Sequence, residues 1–364
     1  MKRLSLYFFC LAAVFCAVLV QVHRAKGADT SGVLPLIEAD NKNIQYVGRF
    51  DFTDPKKPKV WAPGAYVQAR FQGTSCELVV NDEVRYGSTH NYLEIAVDDR
   101  PPLRVQTTGK TNMIPLADGL PPGPHTVTIC KDTESEMGYL EFVGFRCEAL
   151  MPLRLPKRKI EFIGDSITCG AGSDLSVVPC GKGQWYDQHN AYLSYGATTA
   201  RALHAQWHLS SVSGIGLMYS CCDMKATMPD VFGSLNLRDA SRPWDFGRYQ
   251  PDVVTVCLGQ NDGEQDPAMF RDHYVQFLHQ LRRGYPKAQI VCLNSPMGDT
   301  NLTAYLKDNL AQVVDTLHGS GDKNVQALFF SRSYNNGCGG HPDTAQHQQI
   351  AAELTAYLRA TRHW

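Results

Sequence analysis

A serine, a glycine, an asparagine and a histidine, in that order along the chain, could together supply a nucleophile, oxyanion donors and a base. Ser166 sits in Gly164-Asp165-Ser166-Ile167-Thr168, directly after the apolar run Lys159-Ile160-Glu161-Phe162-Ile163. A serine hydroxyl is a poor nucleophile until a base removes its proton, and a tight turn at the end of a buried strand exposes it. The sequence is not the G-x-S-x-G elbow, because Thr168 stands where the second glycine would be. His341, followed by Pro342 and preceded by a glycine-rich stretch, is the candidate base. With 12 histidines in the chain, its position just before a helical pattern singles it out. His347 falls inside that pattern with Ile350 and Leu354 and reads as packing or surface. Acyl transfer also needs preorganised donors for the oxyanion of the tetrahedral intermediate. The side-chain amide of Asn261, in Gly259-Gln260-Asn261-Asp262, and the N–H groups of Gly214 and Ser166 would supply three. Each motif has a plainer reading: a helix-capping turn at Ser166, an Asn-Asp turn at Asn261, and a loop histidine beside a helix capped by Asp343 or Thr344.

These residues converge only if the elements between them place them on one edge. After residue 159, apolar runs at 159–163, 208–212, 253–258, 289–293 and 325–330 alternate with helical patterns at 192–203, 269–284, 302–317 and 344–358. Such alternation predicts an α/β fold, a parallel sheet covered by helices. Ligands of such sheets bind beyond the carboxyl ends of the strands, where Ser166, Gly214 and Asn261 would lie. Residues 44–147 read differently. Short alternating runs at 45–50, 66–71, 77–80, 92–97, 103–106, 125–130 and 139–147 are separated by turn signals without helices, which predicts a β-sandwich. The expected division is a leader at 1–27, a β-sandwich domain at 28–150 and an α/β domain at 151–364, with a Pro-containing basic linker at 150–159.

The four blocks in order resemble the SGNH (GDSL-type) hydrolases. Gly164-Asp165-Ser166, Gly214 (rather than Gly216), Gly259-x-Asn261-Asp262 and His341-Pro342 each match a block of that superfamily. The run Phe162 to Gly170 and Tyr192-Leu193-Ser194-Tyr195-Gly196 are similar to carbohydrate esterase family two, as are Tyr46-Val47-Gly48-Arg49-Phe50 and Phe71-Gln72-Gly73-Thr74-Ser75 in the first region. The resemblance implies a jelly-roll β-sandwich ahead of a three-layer α/β/α domain, and removal of acetyl groups from plant-wall-type carbohydrates. It departs at one place. The acid usual three residues before the histidine is Cys338 here, so the resemblance implies a Ser166–His341 dyad, as in some members of family two. A carbonyl of the 333–340 loop would then accept the Nδ1 proton of His341, with Asp343 as the alternative acceptor. Trp185, Tyr186 and Tyr219 could form a sugar-stacking platform, or simply pack. The competing functions are a lipid or aryl esterase on the same fold and a non-catalytic glycan-binding protein.

Bulk properties narrow the class. A formal net charge of −1 and 20% charged residues describe an ordinary globular protein with no basic field for nucleic acid. Lys2 and Arg3 precede an apolar run over residues 4–22, and Ala25-Lys26-Gly27 offers a cleavage site. The expectation is a signal peptide and a secreted protein, or, if uncleaved, an N-terminal membrane anchor. Of 12 cysteines two lie in this leader, and an even remainder in an oxidising compartment predicts disulfides. Cys130–Cys147 and Cys169–Cys180 are the local pairings expected, with Cys221 and Cys222 bonded to different partners. No clustered metal-ligand spacing appears, so neither metal nor cofactor is expected. Asn301-Leu302-Thr303 is a glycosylation sequon.

Overall fold

A computed structural model describes residues 34–364. The expected leader, with Cys10 and Cys16, lies outside the described residues. No described helix is long and apolar enough to cross a membrane.

The first region is a sandwich of two antiparallel sheets. One runs in the order Phe50–Asp51, Lys59–Val60, Leu140–Arg146, Cys76–Asp82, Thr111–Ala117, with Leu36–Glu38 also paired to Leu140–Arg146. The other runs Ala149–Met151, Tyr66–Gln72, Pro124–Lys131, Tyr92–Val97, Leu103–Gln106, with Gln45–Val47 on Tyr66–Gln72. Val60, Leu78 and Phe142 of the first sheet share a core with Val67, Phe71 and Ile129 of the second. Sequence periodicity missed Thr111–Ala117, where Pro115 interrupts the run. Proline lacks the N–H of a central strand, and this strand lies at the sheet edge, its Asn112, Ile114 and Leu116 alternately buried. Ala149–Met151 joins the second sheet, so the expected linker shrinks to residues 152–157.

The second region is a five-stranded parallel sheet in the order Ala205–Ser211, Arg158–Gly164, Val253–Cys257, Gln289–Leu293, Val325–Leu328. Alternate residues face opposite sides. Val291 and Leu293 join the core under the helices Tyr195–Ala202 and Thr344–Arg362, while Ile290 and Cys292 join the core under Pro267–Gly284 and Thr300–Gly319. Asp266, Asp299 and Asp343 cap three of these helices by accepting N–H groups of Met269, Leu302 and Gln346 at 2.8–2.9 Å, each cap contributing about 1 kcal/mol. The chain enters this sheet at Arg158–Gly164, goes to one side at Ala205–Ser211 and returns to the other at Val253–Cys257. The first strand is therefore the topological switch point, where ligands of open α/β sheets bind.

The two regions share buried contacts. Tyr66 stacks on Trp207 with centroids 3.9 Å apart, and Trp207 Nε1–H donates to Gly64 O at 2.8 Å. Buried Arg49 of the sandwich donates to Phe232 O at 2.7 Å and lies 3.5 Å from Glu161 in the parallel sheet.

The disulfides differ from those expected. Cys180 bonds Cys338, and Cys221 bonds Cys222. Cys130, Cys147 and Cys169 are free and buried. Cys130 packs into the core shared with the parallel sheet and Cys147 into the sandwich core, so the local pair is split between two cores. Cys169 lies buried beneath the Ser166 turn, 3.3 Å from Ser211 Oγ, away from the loop that carries Cys180.

Candidate active site

Gly164 ends the first strand of the parallel sheet, Arg158–Gly164, because nothing larger fits there. A Cβ would meet Thr168 Oγ1 at 2.1 Å and Cys257 O at 3.0 Å. The chain then turns into the short helix Ser166–Cys169, with Asp165 as its N-cap, accepting Ile167 N–H at 3.0 Å. This puts Ser166 at the first helical position. Thr168, which replaces the elbow's second glycine, is buried with its hydroxyl 2.9 Å from Tyr195 OH. Burial, helped by the negative charge of Asp262, pushes the Asp165 carboxyl up to about 7.

His341 enters from the loop before the last helix. Its Nε2 lies 2.8 Å from Ser166 Oγ, and its Nδ1 lies 3.0 Å from the main-chain oxygen of Cys338. The residue in the usual place of the acid thus provides its carbonyl rather than its side chain. With Nδ1–H donating to this carbonyl, Nε2 is the acceptor that faces the serine. Cys338 is fixed by its disulfide to Cys180 and by its N–H, which donates to Gly172 O at 2.8 Å. Asp343, the alternative orienting group, is engaged in a capping box with Gln346. His347 is buried, and its Nδ1 accepts Tyr195 N–H at 3.1 Å. Burial pushes it down to about 3, which keeps it neutral.

On one side of Ser166 the strand Ala205–Ser211 leads to Gly214, at φ +82°, where a Cβ would meet Cys221 Sγ at 2.8 Å. Gly216 is instead bound into its own loop, its N–H donating to Ser220 Oγ at 3.0 Å. On the other side Val253–Cys257 leads to Asn261. Its Nδ2 donates to Ile215 O at 2.9 Å and approaches Asp165 Oδ2 at 3.3 Å. Among the described residues, the N–H groups of Ser166 and Gly214 have no protein acceptor. Asp262 had no assigned role from sequence. Its buried carboxylate gathers the N–H groups of Leu217, Met218 and Tyr219 at 2.6–3.0 Å and so shapes the loop beyond Gly214. Three backbone donors on one carboxylate could not be read from an Asn-Asp pair.

Ser166, Gly214, Asn261 and His341 line a single cavity of about 780 Å³. Its wall also includes Trp185, which is 53% exposed and packs edge-on against His189 at 4.6 Å. The other two aromatics do not contribute to that wall. Tyr186 is buried against Tyr92 and Met137, and Tyr219 is exposed outside it. Lys182, Gln188, Arg238 and Gln260 add polar groups. The Cys221–Cys222 disulfide, which sequence did not foresee, forms another part of the wall. No cluster of potential metal ligands occurs among the described residues.

Two family models match the chain. The Carbohydrate esterase 2 N-terminal family covers residues 46–156, and the GDSL-like Lipase/Acylhydrolase family covers residues 162–359. A cellulase/esterase, CelE, of Acetivibrio thermocellus is 33% identical over 90% of this chain, which spans only 40% of that larger protein. An acetylxylan esterase / glucomannan deacetylase of Cellvibrio japonicus is 28% identical over 82% of this chain and 84% of its own length. Among solved structures, a family two carbohydrate esterase from Clostridium thermocellum in complex with cellohexaose is 32% identical. It superimposes with a TM-score of 0.81, covering 88% of this chain and 99% of that one. With both halves matched in order and the whole fold superimposed on that esterase, the chain belongs to the GDSL-like lipase/acylhydrolase family and, within it, to the family two carbohydrate esterases.

Proposed function

We propose that this chain removes O-acetyl groups from carbohydrates through a covalent acetyl-serine. The observation that carries the reading is the 2.8 Å contact of His341 Nε2 with Ser166 Oγ, with Nδ1 already held by a carbonyl. Ser166 Oγ attacks the ester carbonyl carbon while His341 Nε2 takes its proton. The oxyanion accepts hydrogen bonds from Ser166 N–H, Gly214 N–H and the Asn261 amide, which gives up its longer contact to Asp165. Collapse breaks the bond to the sugar oxygen, and His341 returns the proton to it. Water, deprotonated by His341 Nε2, then attacks the acetyl carbonyl carbon, and as the bond to Ser166 Oγ breaks His341 returns the proton to Oγ, releasing acetate and restoring the serine hydroxyl. The Cys338 carbonyl orients the ring but carries no full charge, so it stabilises the imidazolium less than a carboxylate would.

The cavity supports a carbohydrate. Its volume exceeds what an acetyl group needs, its polar groups suit hydroxyls, and the exposed Trp185 face suits the apolar side of a sugar ring. The relatives named for acetylxylan and glucomannan point to plant-wall polysaccharides. A secreted protein, with residues 1–27 as a signal peptide, fits these extracellular substrates. The test is a panel of acetylated oligosaccharides, nitrophenyl esters of rising chain length and phospholipids, assayed with wild type and Ser166→Ala. Acetyl esters should exceed octanoyl esters widely in kcat/KM, and Ser166→Ala should lower kcat by at least ~10³ with the fold retained. The opposite chain-length order would favour a lipid esterase. Full activity of the variant would remove the serine mechanism.

A further inference from the structure

The β-sandwich reaches the turn that carries Gly214 through Glu134. Glu134 lies on the loop that follows strand Pro124–Lys131 and is fully buried. Its Oε2 accepts Ser213 N–H at 2.8 Å and its Oε1 accepts the Ser213 hydroxyl. Ser213 immediately precedes Gly214. We propose that Glu134 is a positioning residue for ester hydrolysis: by binding Ser213 twice it sets the Ser213–Gly214 peptide so that Gly214 N–H is left for the oxyanion. The inference rests on the reading of the site given above.

Three observations support it. First, the hydrogen bonds of the turn are distributed selectively. Val212 N–H donates to Gly164 O and Ile215 N–H to Val212 O, both at 3.3 Å, and Ser213 N–H goes to Glu134. Gly214 N–H is the one donor of residues 212–215 without a protein acceptor among the described residues. Without Glu134, Ser213 N–H would be a second unpaired donor beside it, and the turn would have no fixed choice between the two. Second, the contact suits a carboxylate. Its two oxygens accept both the N–H and the hydroxyl of Ser213 with the help of its charge, whereas an amide could keep the N–H bond only as a neutral one and would have to turn the hydroxyl into an acceptor of its NH₂ group. Burying a carboxylate is costly unless it is hydrogen-bonded; each oxygen of Glu134 receives one of these charge-assisted bonds, and His189 Nδ1 lies 3.5 Å from Oε1. Third, the loop carrying Glu134 is itself fixed. Lys131 Nζ donates to Thr133 O at 2.6 Å and to Glu134 O at 3.0 Å, Met137 N–H also donates to Glu134 O at 3.0 Å, and Asp132 accepts Tyr192 N–H at 3.2 Å. A group held this way transmits a position rather than following one. The sandwich thereby becomes part of the catalytic machinery without touching substrate.

The experiment measures kcat and KM on an acetyl ester for wild type, Glu134→Gln and Ser213→Ala. It also measures the inhibition constant of an alkylboronic acid, which adds to the serine and mimics the tetrahedral intermediate. Circular dichroism and melting establish that each variant is folded. A misplaced donor costs up to ~10² in rate, so Glu134→Gln should lose about 10- to 100-fold in kcat. Its KM should stay within about threefold and its boronate affinity should fall in step with kcat, because the interaction belongs to the transition state. Ser213→Ala keeps the N–H contact and should lose about 3- to 10-fold. It also decides the matter if Glu134→Gln does not fold. Unchanged kcat in the folded variants, or a change confined to KM, overturns the inference. Ser166→Ala separates this inference from the esterase reading: loss of turnover there, beside an unaffected Glu134→Gln, rejects the role of Glu134 and leaves the serine mechanism standing.

Discussion

The turn that carries Ser166 and the turn that carries Gly214 follow adjacent strands of one sheet, and they are held by different means. Around Ser166 the bonds are local. Asp165 accepts Ile167 N–H, Gly170 N–H returns to Ile167 O, and Ala171 N–H returns to Ser166 O, all at 3.0–3.1 Å within seven residues. Around Gly214 they come from afar. Glu134 is 79 residues from the Ser213 it binds, and Asp262 lies 43–45 residues from the N–H groups it gathers. The His341 loop goes further, pinned through a disulfide that spans 158 residues. A nucleophile can be presented by a short peptide. A set of oxyanion donors and a correctly oriented base need the rest of the fold.

Disrupting the two halves of this contrast should give graded effects. On the proposed mechanism His341→Ala removes the base and should lower kcat by ~10³ or more, as expected when one member of a catalytic unit is lost. Labelling of Ser166 by an organophosphonate should slow in parallel. Labelling at the wild-type rate would show that another group activates the serine. Asn261→Ala should cost ~10²–10³ in kcat with little change in KM, the scale of one lost oxyanion donor. A change in KM alone would make Asn261 a substrate-positioning group. Replacing both Cys180 and Cys338 by serine keeps the carbonyl that orients His341 but frees its loop. The loss should be about tenfold in kcat, since small displacements of a reacting group carry a rate penalty. Reduction of the wild type should reproduce it and reoxidation should restore activity. Rates indifferent to the disulfide would show that the 333–340 loop holds itself. Asp343→Ala tests the smallest effect. The capping box is lost at about 1 kcal/mol of stability, seen as a lower Tm, while kcat should stay within about twofold. A collapse in kcat would make Asp343 the orienting acid after all.

How much was legible from sequence follows the same division. Strand Tyr92–Val97, strand Gln289–Leu293 and the long helices could be placed because a period of 2.0 or 3.6 is written into neighbouring residues. Thr111–Ala117 was missed because Pro115 disguises an edge strand as a loop. Ser166 and His341 stood out through local context, and the absence of an acid three residues before His341 pointed to a main-chain acceptor, which is Cys338 O. The disulfides were misassigned because proximity in sequence says little about proximity in space. Cys180 reaches Cys338 across the cavity rim, and the neighbours Cys221 and Cys222 bond each other at residues where the chain enters the left-handed region at Cys222, φ +61°. Of the three aromatics offered for a sugar platform, only Trp185 lines the cavity. A ring's type gives its chemistry but not the direction it faces.

By itself, the sequence determined the regular strands and the long helices, that a sandwich precedes a parallel sheet, and which serine and histidine stand at strand and helix ends. These depend on residue type and on periodicity over a few positions. Tertiary structure alone decided which backbone N–H groups remain unpaired at the site, which oxygen orients His341, which cysteines meet, and that Glu134 of the first region binds beside Gly214. Those outcomes depend on hydrogen-bond partners brought together from distant parts of the chain, and a buried donor or acceptor takes whichever partner the packed fold presents to it.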